Sequence, residues 1–202
     1  MSPPAYIAFE GAEGCGKSTQ SRLLAEALGA VLTRETGGTA IGERLRAILH
    51  DVSVTGLDDR AEALIVAADR AQHLAEVVRP ALDAGRHVVT DRSAYSTLAY
   101  QGYGRGLPID ELRRLADWAV RGTWPSLVVL LDVPPEVVDE RLRSRDLDRF
   151  EQAGAEFHAR VAAGYRTMAA GDPARWVVVD ASGPLPRVTA AIRARVHERL
   201  GI

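Results

Sequence analysis

Residues 11–18 read GAEGCGKS and fit the pattern G-x-x-x-x-G-K-[ST], with Gly11, Gly16, Lys17 and Ser18 at its fixed positions. An apolar run at residues 6–9 precedes the loop, and helical spacing begins at Lys17. The chain must therefore pass from a buried strand into a helix through a turn with almost no side chains. That requirement points to a parallel α/β architecture, in which a strand's carboxyl end opens onto a helix N-terminus. The backbone N–H groups of Gly11, Ala12, Glu13, Gly14, Cys15 and Gly16 are then free to surround phosphate oxygens, with Thr19 in the first helical turn. Lys17 is placed to span the β- and γ-phosphates and Ser18 to coordinate Mg2+, so the expected ligand is ATP with Mg2+. Glu13 is the anomaly: a carboxylate at the lip of an anion cradle.

The rest of the chain agrees with that architecture. Five apolar, β-rich runs, at residues 6–9, 31–33, 87–90, 127–131 and 176–179, read as strands buried on both faces of a parallel sheet. Helical spacing occupies residues 17–28, 58–82, 109–120, 135–143, 156–169 and 185–200. The expected fold is α/β, a five-stranded parallel sheet with helices on both faces, in one domain spanning residues 1–202. Residues 141–154, RLRSRDLDRFEQAG, are charged and weakly periodic and read as a mobile flap.

Composition narrows the function classes. With 47% hydrophobic residues, 26% charged residues and a formal net charge of −2, the chain lacks the basic surplus of a nonspecific nucleic-acid binder. Cys15, the single cysteine, excludes an internal disulfide framework and suits a reducing compartment. No run approaches the ~20 apolar residues of a membrane span, and no basic, apolar leader is visible, so a soluble cytoplasmic protein is expected. The N-K-x-D base reader of GTPases is absent. A small kinase acting on a small acceptor fits better.

Two further stretches, TRETGGT at 33–39 and TDRSAYSTLAYQGYGRG at 90–106, follow the second and third strand runs. Each contributes an arginine, Arg34 and Arg92, at a carboxyl-end loop beside the cradle. Paired guanidinium groups suit an acceptor that already carries a phosphate. Asp91 is expected to hold Mg2+ with Ser18 or to orient Arg92.

Taken in order, FEGAEGCGKSTQ, TRETGGT, AADRAQH, DRSAYSTLAYQGYGRG, LLDVPPE and LDRFE make the chain resemble bacterial thymidylate kinases over essentially its whole length. The resemblance implies a P-loop kinase fold, Mg·ATP-dependent conversion of dTMP to dTDP, and a homodimer. It turns Glu13 toward the acceptor's sugar and phosphate. It makes Lys17, Asp91 and Arg92 catalytic and assigns the lid, about residues 141–154, the arginines that reach the transferring phosphoryl group. Arg145 and Arg149 are the candidates, with Arg143 also available; Arg141 is expected on the adenine, and Glu151 as an anchor of the closed lid. For the acceptor base and sugar it implies Arg70, Ser96, Thr97, Tyr100 and Gln101. Arg70 faces the pyrimidine O4, and Tyr100 crowds C2′ against ribonucleotides.

Two positions depart from the family pattern. Thr36 stands where a proline is usual, and Val66 where an aromatic ring stacks on thymine, a surface worth about 1 kcal/mol. The departures leave open a relaxed pocket taking modified deoxyuridine monophosphates. Two more readings stay open: a deoxynucleoside kinase with Glu35 as base, and a non-catalytic nucleotide-binding protein.

Overall fold

The structure is a computed structural model and describes residues 3–142 and 148–202. Five strands, β1 (Tyr6–Glu10), β2 (Val31–Arg34), β3 (Val88–Asp91), β4 (Leu127–Asp132) and β5 (Trp176–Asp180), form one parallel sheet in the order β2-β3-β1-β4-β5. Period-2 alternation decides which face each side chain serves. Ile7, Phe9, Val89, Leu127, Val129 and Leu131 pack with Leu24 of α1 (Lys17–Leu28) and with Val188 and Ile192 of α9 (Leu185–Leu200). Val128 and Leu130 face the other way, onto Leu112 of α6 (Ile109–Val120) and Val161 of α8 (Ala155–Gly171). Each fully buried aliphatic side chain of this kind contributes about 1.5–3 kcal/mol.

The outer strands differ from the sequence expectation. β2 is an edge strand with alternating burial, and Leu32 lies on its open side. β5 likewise exposes Val178. Only β1, β3 and β4 are covered on both faces over nearly their full length.

Two helical features also differ. Residues 40–50 form α2 (Ala40–His50), which sequence spacing left unassigned. Its start is set by Thr39, whose hydroxyl accepts from the Gly42 amide at 3.0 Å. The long helix expected over 58–82 is instead α3 (Asp59–His73), a π-helical turn (Leu74–Val78) and α4 (Arg79–Asp83). Pro80 explains the widened turn, since its ring has no N–H and crowds the carbonyl four residues earlier. A second π turn (Leu98–Gly104) continues the short α5 (Ala94–Thr97).

Register places the site. Phe9 and Arg34 both pair with Asp91, so β1, β2 and β3 end at one level. The chain leaves β1 for β2 on one side and reaches β4 on the other. The loop after β1 therefore opens at the point where strand order reverses, which is where open α/β sheets bind ligands.

Candidate active site

A cleft of about 450 Å³ lies over the carboxyl ends of β1, β2 and β3. Its donor side is the loop between β1 and α1. Gly11 and Gly16 have φ of 143° and 98°, in the left-handed half of the map. A Cβ at Gly11 would lie 2.6 Å from the Leu131 carbonyl oxygen, so the loop passes too close to β4 for any side chain. Lys17, the only lysine in the sequence, is buried and donates from Nζ to the carbonyls of Ala12 at 2.7 Å and Gly11 at 3.2 Å. Across the loop the Ser18 hydroxyl donates to Asp91 Oδ2 at 2.5 Å, while the buried Asp91 Oδ1 has no partner. An orphaned carboxylate oxygen beside a hydroxyl fits a hard cation such as Mg2+. No group of three or more His, Cys, Asp or Glu side chains among the described residues can hold a metal. A cation here would have to take most of its ligands from phosphates and water. Arg141, on α7 (Pro135–Leu142), spans the open end, donating to Gly14 O at 3.2 Å and Ala181 O at 3.0 Å.

The acceptor side is built around Arg92, which follows β3 with a φ of 71°. Its Nη2 donates to Glu13 and, at 2.9 Å, to the Tyr100 hydroxyl; Nη1 donates to Ser96 Oγ at 3.2 Å and to the Tyr165 hydroxyl at 3.3 Å. The guanidinium also lies 4.8 Å over the Tyr100 ring. Burial alone would raise the Glu13 pKa, but Arg92 and Lys17 outweigh it and hold the carboxyl at about 2. Glu13 is thus paired with Arg92. Beneath them Glu10 is fully buried and accepts from Ser93 N and Oγ, Ser96 Oγ and Tyr165, at 2.6–2.8 Å. Burial pushes its pKa up, and these hydrogen bonds oppose the shift.

Arg34 and Arg92 do not stand alone. Arg46, on α2, lines the same cleft and donates to the Thr36 carbonyl at 3.2 Å. Burial lowers its pKa, and the charges of Arg34 and Arg92 lower it further. Three guanidinium groups that share a cleft repel one another until an anion lies among them, an arrangement whose charge and geometry suit a group such as a phosphate. Sequence reasoning missed Arg46 because it missed α2. The signal was there: Thr39 as cap, then Ile41, Leu45, Ile48 and Leu49 at helical spacing.

Deeper in the cleft, Arg70 is almost completely buried. It donates to Glu35 Oε2 at 2.7 Å, Thr97 Oγ1 at 2.8 Å and Ser93 O at 3.0 Å. Burial would raise the Glu35 pKa, but Arg70 and His73 more than offset this and lower it. Glu35 is thereby spent on an ion pair and is a poor proton acceptor. Thr97, Ser96, Tyr100 and Gln101 all line the cleft with Arg70. Val66 lines it too, packed in one apolar cluster with Leu49, Tyr100 and Phe150, so ring and leucine side chains complete the wall.

The lid assignments divide. Arg145 and Arg143 lie outside the described residues. Arg149 does not line the cleft: it donates to the Leu49 carbonyl at 2.8 Å and to Glu62 Oε2 at 2.6 Å. The reason is Glu62, a carboxylate with no solvent exposure whose burial demands cationic partners. Glu151 and Phe150 reach the cleft instead, with Asp148 accepting from their amides at 3.0 and 2.9 Å.

A family profile described as thymidylate kinase matches residues 9–192. The chain is 47% identical to the thymidylate kinase of Desulfovibrio desulfuricans, with 96% of each chain covered. It is 50% identical to that of Solidesulfovibrio magneticus, covering 92% of this chain and 94% of the other. A crystal structure of thymidylate kinase from Ehrlichia chaffeensis superposes with a TM-score of 0.79 at 31% identity, covering 96% of this chain and 98% of that one. With a five-stranded parallel sheet, a phosphate loop at its switch point and relatives that match it over more than nine-tenths of its length, the chain belongs to the thymidylate kinase family.

Proposed function

We propose that this protein transfers the γ-phosphoryl group of ATP to the phosphate of dTMP, giving dTDP and ADP. The observation that carries the proposal is the convergence of Arg34, Arg46 and Arg92 opposite the phosphate loop. An acceptor phosphate is already ionised at neutral pH, so the reaction calls for alignment and charge neutralisation rather than a general base. The arginines bind the acceptor phosphate, and Glu13 fixes Arg92 while offering its remaining oxygen capacity to the acceptor's sugar. Lys17 leaves its loop carbonyls for the β- and γ-phosphates of the donor. Arg141 lies over the donor's base. Ser18 and Asp91 would hold Mg2+, which when bound neutralises the β- and γ-oxygens. Tyr100 narrows the sugar site, and Arg70 with Thr97 reads the base.

The relatives favour neither the altered-base acceptor nor the nucleoside acceptor. The ion-paired Glu35 argues separately against the latter, because a neutral 5′-OH needs a competent base. A catalytic role for the lid arginines Arg145 and Arg149 remains part of the proposal.

A homodimer is proposed through α3 and α6, supported by Leu64 at 59% and Trp118 at 77% exposure on these adjoining helices. A cytoplasmic location agrees with the unpaired Cys15, and no described helix is long and apolar enough to cross a membrane. ADP release measured across a panel of nucleoside monophosphates tests the function: dTMP should be turned over fastest. A panel in which a purine monophosphate exceeds dTMP would remove the assignment.

A further inference from the structure

Glu62, on α3, belongs to none of the steps above, yet it is a carboxylate with no solvent exposure. Gln101 Nε2 at 2.8 Å and Arg105 Nε at 3.3 Å donate to its Oε1; Arg105 Nη2 at 3.1 Å and Arg149 Nη2 at 2.6 Å donate to its Oε2. Gln101 carries a donor and an acceptor on one terminal group, and which of the two faces the cleft depends on what holds the other. A carboxylate has no hydrogen to give, so only the amide nitrogen can face Glu62. No described residue donates to Gln101 Oε1, and Gln101 lines the cleft beside Arg70 and Thr97.

We infer that Glu62 is a positioning residue for base selection: it holds the Gln101 amide so that its oxygen accepts from a ring N–H of the acceptor base. The inference rests on the nucleoside monophosphate reading and names what that site selects. Thymine and uracil carry hydrogen on N3, between two carbonyls. Cytosine carries a lone pair there, which would face the lone pairs of Oε1 and leave both unsatisfied. The guanidinium of Arg70 reinforces the choice, because it only donates and so matches a carbonyl better than an amino group. Glu62 also receives Arg149, which ties the root of the lid to the base pocket through one buried side chain.

The test measures kcat/KM for dTMP and for dCMP in the full-length protein. Glu62→Gln keeps the shape but lets residue 62 donate as well as accept, so Gln101 is free to turn. The dTMP-to-dCMP ratio should fall by about tenfold or more, mainly through a higher KM for dTMP. Gln101→Met removes the acceptor while leaving Glu62 intact and should lower the ratio similarly. The double variant should lose little beyond either single one, as expected of residues acting through one contact. An equal drop for both acceptors in Glu62→Gln would reduce Glu62 to a stabilising counter-charge and overturn the inference. So would an unchanged ratio in Gln101→Met, the arm that decides alone if Glu62→Gln fails to fold. Failure of the unaltered protein to use dTMP would instead overturn the acceptor reading itself, and this inference with it.

Discussion

The two halves of the cleft hold their cations in opposite ways. On the donor side Lys17 is held by carbonyls five and six residues away, within the loop it serves. On the acceptor side Arg92 is braced by Glu13, Tyr100, Ser96 and Tyr165, from partners as far as 79 residues distant in sequence. A cation held by its own loop can change partners at little cost to the fold. A cation braced by four side chains, two of them more than 70 residues away in sequence, stays where it is, and removing it leaves buried groups unpaired. The donor half is therefore suited to rearrange around a triphosphate, and the acceptor half to present a fixed receptor.

The comparison breaks or sharpens under substitution. The largest effect is expected from Lys17→Ala: kcat falls by about 10³-fold, with thermal stability nearly unchanged. A large loss of stability in that variant would mean that the loop is braced like the acceptor half. Arg92→Ala should lower kcat/KM for dTMP by about 10²-fold and also destabilise the fold by about 1–3 kcal/mol in urea titration, because Glu13 loses its partner. Arg46→Ala should raise the KM for dTMP by about tenfold while leaving the KM for ATP alone, since among the described residues its hydrogen bonds go only to Thr36.

The smallest effect is in pH. Glu13 is held at about 2 against an ordinary 4.5, so its folded pKa lies below its unfolded one. Its contribution is complete above pH 4.5 and is lost as pH falls toward 2, about 1–2 kcal/mol after allowance for its partial exposure. Asp148, also held at about 2, loses its share in the same window. Urea midpoints between pH 5 and pH 3 should thus fall less in Glu13→Gln than in the unaltered protein, but should still fall.

The same contrast explains what the sequence made legible. The donor loop is contiguous, so its residues and chemistry could be read directly, as could the five strands, whose apolar runs carry their own signal. Arg34 and Arg92 were visible because one ends a strand and the other follows one. Arg46 was not, because its place depends on which face of α2 turns toward the cleft. The ion pair of Arg149 was hidden, because an arginine-rich stretch does not reveal a buried carboxylate 87 residues earlier that pairs with one of its members. The edge character of β2 and β5 was also hidden: strand order is a property of the assembled sheet.

The fixed receptor is tested most directly by the acceptor it requires. Initial ADP release with Mg·ATP should be measured for dTMP and for thymidine at equal concentration. Turnover with dTMP and none above background with thymidine is expected, because Arg34, Arg46 and Arg92 need a phosphate to bind. Turnover of thymidine equal to or faster than that of dTMP would contradict the receptor outright.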